Sequence, residues 1–505
     1  MQYALACATW LNFGSLWSVE SSENCVKATA AVADSKSDAG RVEDGEHPDR
    51  LAITDAGVCD REALSAAAGS GTAWVARYVC ELPLERGVDP AAADNDAVRV
   101  AAKHGHVATV QYLCELPLER GVDPSAADND AVRMAAKHGH VATVQYLCEL
   151  PLERGVDPAA ADNDAVRAAA KHGHVATVQY LCELPLERGV DPAAADNDAV
   201  RMAAKHGYVA TVQYLCELPV ERGVDPSAAD NDAVRMAAKH GHVATVQYLC
   251  ELPLERGVDP AAADNDAIRA AVAMGLLPVT HYLCELPVER GLDPGAGDSE
   301  AVIMAACEGH TDTLRYLATL PDRIGVSRVD LAAADNEALV LAALNGHADV
   351  VRLLCSLPPH WRIAPGAQDN WAVRVAARRG HVGVVRCLCE LPAARGVDPA
   401  CDGNMPLRAA CRHGHFEVVR YLCELPECRG VCCGDAFRHC VQWAAFGGCV
   451  EVVRYLCELP VCRGIDPAGQ DSRALLLAAR EGHLQAVRVL CDLPRPVVWC
   501  SDPVT

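Results

Sequence analysis

Hydrophobic residues recur along the chain at helical spacing, in a unit that itself repeats every 34 residues. A glycine marks each unit and stands 34 residues after the preceding one, apart from a three-residue insertion near Ser327. Thirteen such landmark glycines occur, namely Gly71, Gly105, Gly139, Gly173, Gly207, Gly241, Gly275, Gly309, Gly346, Gly380, Gly414, Gly448 and Gly482. Residues 51–494 are therefore a repeat array, in which the five copies of residues 87–256 are nearly identical.

The first half of each unit predicts a short helix. In the copy at residues 87–120, one helical face carries four small apolar residues, Ala97, Val98, Ala101 and Ala102. Asp94 is placed to act as the N-cap, and Gly105 to end the helix. We therefore expect a first helix over residues 95–104. Because other copies hold Glu337, Trp371 or Arg473 in the position of Asp96, we expect that position to be exposed.

The second half of the unit predicts another helix of similar length. Its buried stripe comprises Val107, Val110, Leu113 and Cys114. The pair Leu116-Pro117 ends it, because a residue before proline is disfavoured in the α region. Two such helices cannot bury their apolar faces alone, but stacked copies can. The predicted fold is an all-α solenoid of about thirteen helix-turn-helix units.

Charge and composition narrow the class of protein. The 505 residues include 45 basic and 68 acidic side chains, a net charge of -23, so a nucleic-acid partner is not expected. No Lys or Arg precedes Lys27, which disfavours a secretory signal, and no apolar run is long enough to span a membrane. We expect a cytoplasmic or nuclear protein. We also expect a disordered or weakly structured segment at residues 1–50 and a tail at 495–505.

The clustering of His104, His106 and Cys114 is a combination that zinc sites and thiol enzymes both use. The position of His106 is His in nine copies, which favours a bond to the turn between the helices over a unique ligand or base. The position of His104 varies freely and is expected to be exposed. Cys114 belongs to a column of twelve, from Cys80 to Cys491, broken only by Ala318. Such a column is typical of buried, unreactive thiols in a reducing compartment.

No other pattern in the sequence predicts a catalytic, metal or cofactor site. The cluster of Cys428, Cys432, Cys433, His439 and Cys440 has a spacing that fits neither paired C-x2-C nor a zinc finger. Motifs for phosphate loops, dinucleotide binding and hydrolase nucleophiles are missing from the sequence. We therefore expect no catalytic residue, no metal and no cofactor.

The motif A-A-x-x-G-H followed by V-x-x-V-x-Y-L resembles the ankyrin repeat. Residues 376–385 match it closely, and so do Gly346-His347 and Gly414-His415. Two features depart from that family: D-A-V-R replaces the usual T-P-L-H, and the connector is rearranged around LPLER. The projecting β-hairpins of the family are thus expected to be reduced to loops or tight turns. Tetratricopeptide repeats share the period, but they need longer helices with an aromatic residue in the first.

The resemblance implies a non-enzymatic scaffold, expected to be monomeric, that binds a protein partner through a concave surface of first helices and connectors. The resemblance implies that the residues contacting the partner are the two before each landmark glycine. The position of Asn95 and Asn370 is a weaker candidate for such a contact. Alternatives are a recruiting or targeting subunit of an enzyme complex, as in ubiquitin ligation or signalling, and a plain spacer. The contact residues expected are Lys103, His104, Lys137, His138, Met274, Glu308, Asn345, Arg378, Arg379, Arg412, His413, Phe446 and Glu481. Since these pairs change at every repeat from residue 273 onward, we expect the specific partner on residues 273–482.

Overall fold

A computed structural model describes residues 59–82, 88–290, 292–293, 295, 300–320, 329–426, 435–459 and 473–492. All of them belong to one unit, residues 57–505. The expected N-terminal segment (1–50) and C-terminal tail (495–505) lie outside the described residues, as do Cys428, Cys432 and Cys433.

The described chain is thirteen helix pairs, and no strand occurs within these ranges. The first helices are Cys59–Ser70, Ala92–Lys103, Ala126–Lys137, Ala160–Lys171, Ala194–Lys205, Ala228–Lys239, Ala262–Ala273, Glu300–Glu308, Ala333–Asn345, Ala367–Arg379, Cys401–His413, Asp435–Phe446 and Arg473–Arg480. The second helices are Ala73–Glu81, Val107–Cys114, Val141–Glu149, Val175–Glu183, Val209–Glu217, Val243–Glu251, Leu277–Glu285, Thr311–Thr319, Ala348–Ser356, Val382–Cys389, Phe416–Glu424, Val450–Glu458 and Leu484–Asp492.

The helices stack as the period predicts. Each first helix packs on the first helices of the neighbouring repeats, and each second helix on the second helices. The predicted stripe of the first helix is buried, and Val110, Leu113 and Cys114 of the second helix are buried as well. Val107 is only half-buried, and Thr109, which the hydrophobic pattern did not select, is fully buried instead. The all-α solenoid prediction is confirmed.

The predicted start of the first helix is wrong. Asp94 makes no capping bond, and the residues Ala93, Asp94 and Asn95 all have left-handed backbone angles, with φ between 52 and 61°. The right-handed helix begins only after Asn95. A left-handed conformation costs a residue with a Cβ roughly 1–2 kcal/mol, so other contacts must hold this turn.

The side chain of Asn95 supplies one of those contacts. Its Oδ1 accepts a hydrogen bond from the backbone N–H of Asp123 in the next repeat, at 2.8 Å, and the side chain is buried. The same bond recurs along the array, for example from Ala364 N–H to Asn336 and from Asp398 N–H to Asn370. This asparagine column joins successive repeats. The expectation that Asn95 and Asn370 contact a partner is therefore wrong for Asn95, and Asn370 is half-buried in the same bond.

The landmark glycine of one repeat packs against the histidine that follows the landmark glycine of the next repeat. Gly71 has a φ of +70°, and a Cβ there would lie 2.6 Å from His106 Cε1 of the next repeat. His106 Nε2 bonds the carbonyl oxygen of Gly69 at 3.0 Å. The histidine thus caps the last turn of the preceding first helix, and the glycine leaves room for its ring. The structural interpretation of His106 is confirmed, with the partner in the neighbouring repeat.

The second helix ends before Leu-Pro, as predicted. Proline then leads into a short 3-10 turn, such as Leu118–Arg120, and Gly121 closes the turn with a φ of 68°. Arg120 reaches back from this turn to the carbonyl oxygens of Cys80 and Val88, at 3.1 and 3.3 Å. The expected reduction of the β-hairpins to tight turns is confirmed over the described connectors. The anchoring role of the arginine was not predicted.

The cysteine column lies in the core between helices. Cys114 through Cys284 are buried, and burial raises the pKa of Cys182 to about 12. At the C-terminal end Cys457 is half-buried and Cys491 exposed. A thiol of such high pKa is protonated near neutrality and is a poor nucleophile, which fits the predicted packing role. Among the described helices, none is both long and apolar enough to cross a membrane.

Candidate functional site

The two positions before each landmark glycine form a surface along one end of the first helices, here called the helix-end surface. The residue directly before the glycine is exposed in most of the described repeats, including His104, His138, Met274, Glu308, Asn345, Arg379, His413 and Glu481. The surface therefore consists of accessible side chains on a rigid support, which suits recognition. The variability of the position of His104 correctly indicated exposure.

In residues 87–256 the helix-end surface repeats one pair. Lys103 and His104 are both exposed, and Lys137 is half-buried beside the exposed His138. The ring of His104 stacks near that of His106, with centroids 6.1 Å apart. Five successive copies thus present a cation and an imidazole in the same place.

The next three repeats replace this pair with uncharged or acidic groups. Met274 is 56% exposed, so an apolar side chain faces solvent there. Glu308 is exposed beside Cys307, which is buried. Asn345 donates from Nδ2 to the Cys307 carbonyl oxygen at 2.9 Å, so this side chain is already bound to the scaffold. Of the three, Met274 and Glu308 are the freer candidates for contact.

A cationic cluster follows in the tenth and eleventh repeats. Arg378, Arg379, Arg412 and His413 are exposed, and neither Arg378 nor Arg379 has an acidic partner among the described residues. Burial lowers the pKa of His413, and the charge of Arg378 lowers it next, with smaller contributions from Arg412 and Arg379. The charges of these three exposed guanidinium groups therefore all act on the imidazole of His413.

Aromatic rings of the twelfth repeat hold one of these arginines. The guanidinium of Arg412 lies 5.2 Å from the ring centre of Trp443 and 5.1 Å from that of Phe446. The two rings pack edge to face at 5.9 Å. Each cation–π contact is worth about 0.5–2 kcal/mol and fixes the direction of the guanidinium. The sequence indicated Phe446 but not Trp443, although its spacing of three residues from Phe446 places both on one helical face.

One acidic and one basic position of the first helix pair with each other across repeats. Arg99 Nε bonds Asp130 Oδ2 of the next repeat at 2.8 Å, and Arg201 bonds Asp232 at 3.0 Å. The expectation that the position of Asp96 is exposed is therefore wrong for the copies that bridge repeats, since Asp130 is 19% exposed, whereas Trp371 in the same position is 39% exposed. These charges belong to the scaffold.

Two further groups of polar side chains lie in the described part of the chain, the remainder of the cysteine and histidine cluster and one polar cleft. No group of three or more metal-ligating side chains converges in the described part of the chain. His439 is exposed and Cys440 is buried, so these neighbours face different surroundings. A polar cleft between the eighth and ninth repeats is lined by Arg315 and Arg352, which are already paired with Asp312 and Asp349 at 2.9 and 2.7 Å.

The family models that match the chain are of one repeat type. A family model described as ankyrin repeats in three copies matches residues 168–264 and 364–432, and one described as ankyrin repeats in many copies matches residues 98–148. Among solved structures, the chain is similar to an ankyrin repeat family protein from Legionella pneumophila. That likeness has 18% identity, covers 69% of this chain and 85% of that chain, and has a TM-score of 0.22. No curated protein matches the chain.

Proposed function

The chain belongs to the ankyrin repeat family, and we propose that it is a scaffold that binds a protein partner through the helix-end surface. Ankyrin repeats are generally protein–protein interaction modules, and proteins built from them are typically not enzymes. The finer proposal concerns where the partner lies. We place it on residues 273–482, with Arg378, Arg379, Arg412 and Phe446 among its contacts.

The observation that carries this proposal is the exposed arginine cluster beside packed aromatic rings. Arg378 and Arg379 have no acidic partner among the described residues, and Arg412 is held in place by Trp443 and Phe446. Arginine and aromatic side chains are enriched at binding hot spots. A pre-organised guanidinium also loses less conformational entropy on binding than a free one. The cluster is therefore the strongest candidate anchor for a partner.

Non-repetition of the surface supports the same location. A specific partner is distinguished by a difference in affinity, which requires an arrangement of groups that other partners cannot match. From Ala273-Met274 to Arg480-Glu481 the pair differs in every repeat. The proposal includes the division of the chain into residues 1–50, 51–494 and 495–505, and a cytoplasmic or nuclear setting.

The test uses the full-length chain to capture partners and then compares two variants by titration. Deleting residues 121–188 removes two whole periods and is expected to leave affinity for the specific partner within a few-fold. Replacing Arg378, Arg379 and Arg412 with alanine is expected to weaken binding roughly tenfold or more. Circular dichroism and thermal unfolding verify that both variants remain folded.

The opposite pattern would overturn the proposal. If the deletion abolishes binding while the triple alanine variant binds normally, specificity lies in the uniform copies. Co-purification of an enzyme that modifies a second bound protein would instead favour a recruiting subunit of an enzyme complex.

A further inference from the structure

We propose that the lysines of the five uniform copies bind an extended acidic segment of a partner protein, in which an acidic residue stands at every third position. These lysines, here called the lysine column, are Lys103, Lys137, Lys171, Lys205 and Lys239. The proposal goes beyond the function proposed above, because it concerns residues 87–256 and does not depend on the arginine cluster.

The lysine column is an uncompensated line of positive charge. None of its five members forms an ion pair among the described residues. The acids at the position of Asp96 are engaged elsewhere, since Asp130 and Asp164 bond Arg99 and Arg133 at 2.8 and 2.9 Å. The chain as a whole has a net charge of -23. A cationic line on such a protein is a local feature, and its complement is a line of carboxylates.

The charges of the lysine column act across repeats. Burial lowers the pKa of His138, and Lys137 of the same repeat and Lys103 of the preceding repeat lower it further. Lys205 and Lys171 affect His206 in the same way, again after burial. Adjacent first helices pack on each other, and three of the five lysines are exposed while Lys137 and Lys205 are half-buried, so side chains of neighbouring copies lie along one shared strip of the surface. A ligand in that strip would meet consecutive lysines and not isolated ones.

The scaffold does not need these ammonium groups. The backbone carbonyl oxygens of Lys103, Lys137 and Lys205 are bonded by His140, His174 and His242 of the next repeat, at 3.0, 3.1 and 3.1 Å. The following repeats have Ala273, Cys307 or Leu344 in the lysine position, and the glycine after each pair keeps its positive φ. The repeated lysine thus serves something other than the turn.

The distance between successive lysines of the column indicates which backbone conformation of the ligand would fit them. Adjacent first helices pack on each other, so equivalent atoms of successive repeats are separated by about 8–10 Å. A polyproline II segment has three residues per turn and rises about 3.1 Å per residue, so every third side chain lies on one face at intervals of about 9 Å. Carboxylates at every third residue would therefore meet successive lysines.

The experiment measures fluorescence anisotropy of labelled peptides with the full-length protein. One peptide repeats the triplet Glu-Pro-Ser, and a second has the same composition with its glutamates grouped at one end. The test variant replaces the five lysines of the column with glutamine. Its matched control removes five positive charges from exposed positions of second helices, by glutamine substitution at Arg77, Arg315, Arg352, Arg386 and Arg420. Circular dichroism confirms folding of each variant.

The triplet peptide is expected to bind with an affinity that falls steeply with added salt. The lysine variant is expected to weaken binding roughly tenfold or more, because several small exposed ion pairs are lost together. The charge-matched control is expected to change binding less than threefold or so. The grouped peptide is expected to bind several-fold more weakly than the triplet peptide.

Four results would overturn the proposal. They are absence of saturable binding by the triplet peptide, equal weakening by the control variant, equal affinity for the grouped peptide, and tighter binding of a single-stranded oligonucleotide than of the triplet peptide. None of these outcomes bears on the arginine cluster, whose test uses the captured partner.

Discussion

In residues 87–256 the pair before each landmark glycine is Lys-His in every copy, whereas in residues 273–482 it changes at every repeat. The cores of the two regions hardly differ: Leu181 in the first and Leu388 in the second are both fully buried, and each is followed by a buried cysteine. The bond made by the asparagine column also occurs in both regions, at Asn163 in the first and Asn370 in the second. The contrast shows that buried positions of each repeat specify the scaffold, whereas the pair before each landmark glycine specifies the surface. The surface can therefore vary without loss of the fold.

The largest effect is expected in the core, where the two regions should behave alike. Cys182→Asp and Cys423→Asp each place a carboxylate in the buried stripe of a second helix. Even with Arg222 beside Cys182, the lost hydration of the carboxylate should destabilise the array by roughly 3–5 kcal/mol. Cys491→Asp changes an exposed member of the same column and should have little effect. Urea unfolding followed by circular dichroism measures all three. Near-neutral stability of Cys182→Asp would show that the column is not core.

A smaller loss is expected at the asparagine column. Asn231→Ala removes the acceptor for the Asp259 N–H, at 2.7 Å, and should cost about 1–2 kcal/mol. Asn231→Gly removes the same acceptor but tolerates the φ of 61°. The difference between the two variants in free energy of unfolding therefore isolates the backbone strain. If both variants unfold like the wild type, the bond between repeats contributes nothing.

A gain in stability is expected two residues earlier, in the same left-handed turn. Ala229 has a φ of 53°, where alanine is disfavoured and glycine is not. Ala229→Gly should therefore stabilise the protein by up to about 1 kcal/mol, in spite of the extra freedom of glycine in the unfolded chain. Ala210→Gly, in a regular helix, should instead destabilise it by about 0.5–1 kcal/mol. Equal destabilisation by both would contradict the left-handed turn.

The smallest effect expected is a dependence of folding stability on pH, which arises mainly from histidines of the uniform copies. Burial is the main cause that lowers the pKa of His104, His138, His174 and His206 in the folded chain. The unfolded chain then binds more protons as the pH falls below about 6.5, so stability is full above that pH and declines beneath it. The urea concentration at the midpoint of unfolding, compared at about pH 7.5 and 5.5, measures this decline in stability. Replacing these four histidines with glutamine should flatten it, whereas His413→Gln alone should not.

Local sequence was sufficient for much of the candidate surface. The glycine turn, the Leu-Pro ending and the exposure at the positions of His104 and Arg379 follow from residue type and spacing within one copy. Trp443 was missed because its partner Arg412 lies in another repeat. No pattern within one helix shows that a guanidinium from the preceding repeat will cover its ring.

The sequence by itself determined the period, the two helices of each unit and most of their buried stripes, because apolar spacing and the glycine and proline signals act within a few residues along the chain. Only the tertiary structure decided how repeats are joined. Asn95 and Asp123 are 28 residues apart and Arg99 and Asp130 are 31 apart, so their bonds exist only once neighbouring units have stacked. The left-handed turn at residues 93–95 is also decided by the tertiary structure. The backbone preference of alanine opposes this conformation, and we infer that contacts between repeats hold it in place.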